Sequence, residues 1–456
     1  MILTYSLIIC LIAAFGISWF RFFQAATNPG LLYLPLESYF FTASYSEGEE
    51  LYNRPDFFMS YFDYKVPGIE KLSNEIFIWI FVVLVVLVFL QLLSCNEWFV
   101  VKSFKNSIKV PVLGKYATRL CANLHNKNNI FNFDFQQITF LSFSIATILL
   151  FMIPNDSSDI YGYMARGAQQ SFYGMNPYHH TVSEIANWWD QPLLANINSL
   201  WSYNPAPYGP FYMLIYAGIS FLSMGNFYIA LFLFKFFNLG LFAALLLLLV
   251  QILNDKDLDK EFFEKKFTDN RQIFSYKKII YSLIALNPFI LIEAIWNGHN
   301  DILMGVLILA SLYLCFKNKL NLALIMLTLS VLSKYISFIL LPFILIYAFS
   351  RKLKNFPWLG SIASFAIIYL TWVYYDPFAI NFNKISNNIL LCHKSFQRSF
   401  DTIYKLIMGE HMPAYANLIF LAIFSLCLVF LYYKFTKIEN KKLNIFHFSF
   451  LAMFLL

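Results

Sequence analysis

The stretch ITFLSFSIATILLFMI, residues 138–153, is predominantly apolar and carries no charged side chain. Comparable runs recur along the chain, and a helix needs about 20 mostly apolar residues to cross the hydrocarbon core of a bilayer. The 456 residues are 59% hydrophobic and only 13% charged, which is about half the charged fraction of a typical soluble protein. The sequence therefore predicts an all-α polytopic membrane protein.

About eleven transmembrane helices are expected from these runs. The run 320–349 is too long for one crossing and holds Lys334 near its middle. A charge at the bilayer centre costs about 2.5–3.5 kcal/mol, so two short crossings that meet at Lys334 explain this run better than one helix. The other spans are expected at roughly 2–20, 75–94, 136–153, 227–252, 279–296, 302–316, 357–375, 414–433 and 443–456.

The distribution of lysine and arginine predicts which loops face the cytoplasm. Loop 95–135 has six basic residues and loop 253–278 has seven, whereas loop 154–226 has only Arg166. Because cytoplasmic loops are enriched in these residues, the two basic loops are expected inside and loop 154–226 outside. The net charge of +7 follows from this pattern and gives no reason to expect a nucleic-acid partner.

Residues 1–456 are expected to form a single membrane-embedded domain. It would consist of an N-terminal helical hairpin and cytoplasmic loop at 1–135, a motif-bearing core at 136–350 and C-terminal spans at 351–456. The apolar stretch 208–225 is expected to be an interfacial helix in an outer loop, since counting it as a span would place the basic cluster of loop 253–278 outside. No C-x-x-C occurs among the six cysteines, so neither a zinc site nor a disulfide framework is expected.

The segment SSDIYGYMARGAQQSFYGMNPYHH, residues 157–180, is unusually polar for this chain. If it is helical from Asp159 onward, then Asp159, Tyr163, Arg166 and Gln170 share one face, and this polar face is expected at the membrane surface. Asp159 could act as a base or could merely cap the helix, and the two roles are compatible. The Asn-Pro-Tyr sequence that follows predicts a turn.

Tyrosines in these outer segments form a second candidate feature. Tyr163, Tyr178 and Tyr208 belong to an aromatic surface that suits sugar rings or lipid headgroups. The alternative is the belt of aromatic residues found at membrane interfaces.

The stretch NPFILIEAIWNGHND, residues 287–301, contains the next polar cluster. By the topology above, His299 and Asp301 lie at the outer end of a span and face the same compartment as Asp159. Asn297-Gly298 as a tight turn and Asp301 as a helix cap are structural alternatives. Glu293 lies inside a span, where a carboxylate is costly unless it is paired, and it is therefore a functional candidate.

Basic residues on the outer side suggest a site for an anion. Lys334 lies at the junction of two short spans, and the outer loop 376–412 holds several basic residues, including Arg398. Lys and Arg are the usual ligands of anionic groups, although a solvated surface is the alternative. Lys235, inside span 227–252, is expected to extend towards an interface.

The order of these motifs resembles a known family. DIYGYMARGAQQSFYGMNPY, YNPAPYGP and NGHND, followed by a lysine between late spans, resemble polyprenol-phosphate-mannose-dependent mannosyltransferases of the GT-C superfamily of membrane glycosyltransferases. The resemblance covers about half of the chain, from residue 150 to roughly 350. In many relatives the acidic residue follows the first span, whereas here it follows the third.

The resemblance implies a GT-C-like fold and a hexosyltransferase activity. A sugar, mannose or another hexose, would move from a polyprenyl-phosphate donor to a hydroxyl of a glycan or glycolipid acceptor, by a single inverting displacement with Asp159 as base. Lys334 and Arg398 would contact the lipid phosphate. The full set of implied substrate-binding residues is Tyr163, Arg166, Asn176, Tyr178, Tyr208, His299, Asn300, Asp301, Lys334 and Arg398.

Other partners follow from the same resemblance. The lipid-linked sugar is a substrate, and neither a cofactor nor a metal is expected, because one phosphate and the cations of the protein suffice. The active site would face outward from a bacterial plasma membrane and build a cell-envelope glycan.

Two other functions remain open from the sequence. A glycan polymerase or ligase that uses lipid diphosphate sugars would share the topology but would use arginines in a large late loop, and loop 376–412 holds only one. A lipid or anion transporter would place charges in mid-membrane and show internal repeats, and the sequence shows no repeat.

Overall fold

The computed structural model describes residues 134–152, 154, 159–197, 199–264, 270–350, 357–376, 414–438 and 441–454. Within these ranges all regular elements are helices and no strand occurs, which confirms the all-α class. The spans predicted at 2–20 and 75–94, the N-terminal hairpin and Arg398 lie outside the described residues.

Eleven α-helices of eight residues or more are described. Their bounds are α1 Phe135–Leu150, α2 Asp159–Ser171, α3 Pro210–Leu222, α4 Phe227–Leu253, α5 Asn270–Ala285, α6 Asp301–Phe316, α7 Leu320–Val331, α8 Leu341–Phe349, α9 Trp358–Tyr375, α10 Ala414–Lys437 and α11 Lys441–Phe454. A π-helical segment, Ile290–Trp296, lies between α5 and α6, and a 3-10 segment, Tyr335–Leu340, precedes α8. Shorter helical turns occur at Val182–Glu184, Trp188–Asp190, Ser199–Ser202, Lys256–Leu258 and Asp259–Phe263.

Three described helices are long and apolar enough to cross a membrane: Phe227–Leu253, Ile273–Trp296 and Trp358–Tyr375. Shorter apolar helices, including α1, α3, α6 and α7, accompany them. The structure therefore supports a membrane protein, while the count of eleven spans stays a prediction.

The chain forms two compact units. The first consists of the described residues within Met1–Tyr173, Val182–Tyr203 and Tyr216–Ile302, and the second of those within Gly174–Thr181, Asn204–Ile215 and Leu303–Leu456.

In the first unit, side chains fix both ends of α1. The N-terminus has a capping box, in which Asp134 Oδ1 accepts from the Gln137 amide (2.8 Å) and Gln137 Oε1 accepts from the Asp134 amide (3.0 Å). At the other end, Lys235 Nζ donates to the carbonyls of Leu149 (2.8 Å) and Met152. Lys235 is only 1% exposed, so the expectation that it extends to an interface is wrong. It is buried because the last carbonyls of a helix lack partners and attract a cation.

In the second unit, the core gathers around Phe343 of α8 and Phe435 of α10, both fully buried. Their rings lie 5.4 Å apart, edge to face. Tyr432, also on α10, donates to the carbonyl of Ile339 (2.7 Å).

The long run 320–349 is broken at Lys334, as the sequence predicts. Helix α7 ends at Val331, and the 3-10 segment begins at Tyr335, with Lys334 in extended backbone conformation between them. The break keeps the lysine ammonium out of the middle of a continuous apolar helix.

Candidate active site

In the first unit, two carboxylates flank one imidazole ring. Nδ1 of His299 lies 3.4 Å from Oδ2 of Asp159, and Nε2 of the same ring lies 3.2 Å from Oε2 of Glu293. The side chains of Asp159 and Glu293 are 37% and 40% exposed, and that of His299 is 21% exposed. The cluster is therefore open to solvent or substrate from the carboxylate sides while the ring between them is largely covered. The structure thus places His299 beside Asp159, and the roles of both residues in catalysis or substrate binding stay predictions.

Backbone geometry places His299 beside Glu293. The π-helical segment ends at Trp296, where the amide of Asn297 donates to the carbonyl of Ile292 (2.8 Å). Gly298 then adopts a positive φ of 74°, and the His299 amide donates back to the carbonyl of Glu293 (2.8 Å). The Asn297-Gly298 turn expected from the sequence is thus confirmed.

Gly298 is required for a second reason. A Cβ at this position would lie 2.4 Å from Cδ1 of Ile160. Ile160 directly follows Asp159 in the first turn of α2. The absence of a side chain therefore lets the turn before His299 pack closely against the first turn of α2, and this packing brings the histidine to the aspartate.

Asn238 on α4 holds the same turn from the other side. Its Nδ2 donates to the carbonyls of Ala294 (2.9 Å) and His299 (3.1 Å). The side chain is 1% exposed, and both of its bonds go to backbone carbonyls on either side of the turn, as is usual for a buried amide.

Helix α2 does not present the exposed polar face that was expected. Tyr163 and Arg166 are buried, as are Ile160 and Met164 on the apolar face. Arg166 donates to Gln169 Oε1 (3.1 Å) and, through Nη2, to the carbonyl of Trp201 (2.7 Å). Its guanidinium is therefore engaged inside the first unit, because packing against neighbouring elements buries most of the helix between Ile160 and Gln169.

Asn300 is linked to this buried layer, whereas Asp301 is exposed. Nδ2 of Asn300 donates to the hydroxyl of Tyr216 (3.1 Å), and the Tyr216 ring stacks on Tyr163 with centroids 4.7 Å apart and planes 15° apart. Asp301 begins α6 and lies in its first turn, where a carboxylate interacts favourably with the helix dipole. The predicted NGHND cluster therefore divides into an imidazole at the site, an amide in the packing behind it and a carboxylate at a helix start.

Comparison with known proteins gives the family. The family described as Alpha-(1->6)-mannopyranosyltransferase, N-terminal domain, matches residues 120–263 and 270–350, about half of the chain, and these segments carry Asp159, Glu293, His299 and Lys334. The chain belongs to this family of GT-C-like mannosyltransferases.

A curated relative agrees with that assignment. The chain is 25% identical over 207 residues to Alpha-(1->6)-mannopyranosyltransferase A of Mycobacterium tuberculosis, a match that covers 45% of this chain and 36% of the relative. The aligned part thus spans about a third of the length of that relative. No solved structure matches. The resemblance recognised in the motifs is confirmed, and membership of the family supports a glycosyltransferase rather than a transporter.

In the second unit, the Asn-Pro-Tyr turn holds backbone segments together. Asn176 Oδ1 accepts from the Tyr178 amide (3.0 Å), and its Nδ2 donates to the carbonyl of Tyr375 (2.7 Å). The buried Tyr178 hydroxyl donates to the carbonyl of Tyr208 (2.6 Å). Burial raises the pKa of Tyr178 well above its usual value, so the hydroxyl remains a donor at neutral pH. Substrate contacts for Asn176, Tyr178 and Tyr208 stay predictions.

The Tyr-Gly-Pro motif lies against the chain that leads to Lys334. The Gly209 amide donates to the carbonyl of Ser333 (3.1 Å), and the Phe211 amide donates to that of Leu332 (2.9 Å). A Cβ at position 209 would lie 2.1 Å from the Leu332 carbonyl oxygen, so only glycine permits this approach. The half-buried Lys334 thus follows a backbone segment that two hydrogen bonds fix.

Two features of the site were not assigned a role from the sequence. Asn238 was not singled out, although a polar amide in the long apolar run of α4 is a recognisable indication of a buried hydrogen bond. Glu293 was a candidate without a partner, because one sequence does not reveal that a π-helical turn brings His299 back to it. In the described ranges, no group of three or more His, Cys, Asp and Glu side chains is arranged to hold a metal ion, and metal independence stays a prediction.

Proposed function

We propose that this protein is a membrane mannosyltransferase that takes mannose from a polyprenyl-phosphate donor and transfers it to a hydroxyl acceptor. The single observation that carries the proposal is the partly exposed Asp159 carboxylate, positioned 3.4 Å from His299 within the segment that matches the mannosyltransferase family. A carboxylate at the start of a helix and beside an imidazole is suited to accept a proton from an attacking hydroxyl.

The reaction follows from the chemistry of such a donor. The acceptor oxygen attacks the anomeric carbon, its O–H bond breaks, and the proton passes to Asp159 as the bond to the lipid phosphate breaks. The phosphate is already a good leaving group, so no acid is needed to protonate it. A single displacement inverts the anomeric configuration, so an α-linked product requires a β-linked donor.

Cations must stabilise the charge that grows on the departing phosphate. Lys334 is proposed for this role from the motif resemblance, which includes a lysine between late spans. Arg398, which lies outside the described residues, is proposed as a second contact. The site is proposed to face outward from a bacterial plasma membrane, on the basis of the loop charges.

The curated relative suggests the acceptor. Its name specifies an α-(1→6) mannosyl linkage, so the acceptor group proposed here is a 6-hydroxyl of a glycan or glycolipid. An acceptor whose 6-hydroxyls are blocked would then fail to accept mannose, whereas the free form would accept it.

The test uses the full chain, purified in lipid nanodiscs with a panel of polyprenyl-phosphate sugars. We expect mannose transfer from polyprenyl-phosphate mannose, and we expect Asp159→Asn to lower the transfer rate by at least about a hundredfold while donor binding is retained. Asp259→Asn is the matched control, since Asp259 pairs with Lys277 (2.6 Å) away from the site. Full activity of Asp159→Asn would remove this residue as the base, and no transfer from any polyprenyl-phosphate sugar would overturn the proposed function.

A further inference from the structure

We infer that Glu293 is a positioning residue that orients His299, so that His299 takes over the proton that Asp159 removes from the acceptor. The inference rests on the proposed function, and it adds a residue and a proton route that the base alone does not include. It is carried by the placement of one imidazole between two carboxylates, with each ring nitrogen facing a different one.

The ring nitrogens have unequal roles in this arrangement. In a neutral imidazole one nitrogen donates and the other accepts, and the hydrogen bond at one nitrogen decides the state of the other. Glu293 Oε2 lies 3.2 Å from Nε2 and is the closer of the two carboxylates, so it favours the proton on Nε2, whereas Asp159 becomes a donor towards Nδ1 once it carries the proton of the acceptor. Nδ1 is then left as an acceptor, 3.4 Å from Asp159 Oδ2.

The orientation of Glu293 is itself fixed. Nδ2 of Asn297 donates to Glu293 Oε2 (3.3 Å), the same oxygen that faces the ring. The backbone of Glu293 also accepts from the His299 amide (2.8 Å). Glutamate and histidine therefore share both a main-chain and a side-chain contact, and they are held as one element by the turn at 297–298.

The proton transfer balances at each step. Asp159 gains a proton when the O–H bond of the acceptor breaks, and it becomes a neutral carboxylic acid. The new O–H bond of the Asp159 carboxylic acid then breaks as an N–H bond forms at Nδ1 of His299. This step regenerates the Asp159 carboxylate and makes His299 an imidazolium. The cation lies between two carboxylates, and this position stabilises it.

The decisive experiment is a double-mutant cycle on mannose transfer with Glu293→Ala, His299→Ala and the double variant. We expect Glu293→Ala to lower kcat about tenfold, as loss of an orienting group does, with the donor KM within about twofold. The same substitution should have no further effect once His299 is absent, because Glu293 acts only through the ring. Glu293→Gln should retain most of the activity, since its amide oxygen can still accept from Nε2–H.

Asp259→Ala serves as the matched control for loss of a paired carboxylate in the first unit. Multiplicative effects of Glu293→Ala and His299→Ala on kcat would overturn the inference, as would a change confined to KM. Melting temperatures of all variants establish that they are folded.

A measurement that needs no sugar separates this inference from the proposed function. Nitrogen-15 spectra of ring-labelled histidine, with His299→Ala to assign the resonance, should show the proton of His299 on Nε2 in the wild-type protein. Glu293→Ala should abolish that preference. An unchanged spectrum would overturn the inference even if mannose transfer is observed, whereas the expected spectrum in a protein that transfers no mannose would leave only the proposed function overturned.

Discussion

The two units use their sequence motifs in different ways. In the first unit, Asp159, His299 and Glu293 direct ionisable side chains at one another and remain partly exposed. In the second unit, the polar groups of Asn176 and the buried Tyr178 bond to backbone carbonyls and amides. Both motifs carry polar residues, but the first concentrates reactive groups and the second fixes the course of the chain.

This difference separates side chains that can take part in a reaction from side chains that hold the backbone in place. A hydrogen bond from a side chain to a backbone carbonyl stabilises a loop without leaving a group for substrate. Partly exposed carboxylates beside an imidazole can exchange protons with a bound molecule. Substitutions in the Asp159, His299 and Glu293 cluster should therefore change turnover with little change in stability, and those at the Asn-Pro-Tyr and Tyr-Gly-Pro motifs should do the reverse.

Of three further substitutions that compare the two units, His299→Ala should have the largest effect. We expect kcat for mannose transfer to fall about a hundredfold, which corresponds to about 2.7 kcal/mol of transition-state stabilisation, because Asp159 loses the group that takes up its proton. The melting temperature should change by only a few degrees. A large drop in melting temperature with normal turnover in the remaining folded protein would contradict the distinction between the two units.

A smaller effect, on stability and not on turnover, is expected for Gly209→Ala. The new methyl group would overlap the Leu332 carbonyl, whose oxygen would be 2.1 Å away, and overpacking of this kind costs about 1–3 kcal/mol. Thermal unfolding in nanodiscs should show the loss. Gly218→Ala on α3 is the control, since a Cβ there meets nothing within 4 Å; equal melting temperatures for the two variants would contradict the proposed close approach.

The smallest effect should follow from Tyr178→Phe. The variant loses one hydrogen bond to the Tyr208 carbonyl (2.6 Å), worth about 1 kcal/mol, while the buried ring remains. The melting temperature should fall slightly and kcat should stay within about twofold. A hundredfold loss of transfer would instead assign this hydroxyl to the substrate.

Much of the local structure could be predicted because its physical cause lies within a few residues. The break at Lys334 follows from the cost of an ammonium in an apolar helix, and the turn at Asn297-Gly298 follows from the tolerance of glycine for positive φ. The order of the motifs was enough to recognise the mannosyltransferase family. These features depend on neighbouring positions, which a single sequence displays directly.

The remaining features depend on contacts between distant positions. Periodicity predicts that Arg166 and Tyr163 share a face with Asp159, but it does not reveal that other helices cover this face, or that the Trp201 carbonyl accepts from the guanidinium. Glu293 was expected to need a partner, and only the fold identifies His299. Single-sequence patterns thus locate polar groups but do not state which of them meet.

Lys235 affects the segment that leads to Asp159. Carbonyls at the C-terminal end of α1 and just beyond it accept from an ammonium that the chain supplies 83 positions after Met152, so this end of α1 is held by another helix. Only residues 151–158 separate Leu150 from Asp159. The distance between Asp159 and the end of α1 is therefore limited by these eight residues, while the end of α1 itself is held by a remote lysine.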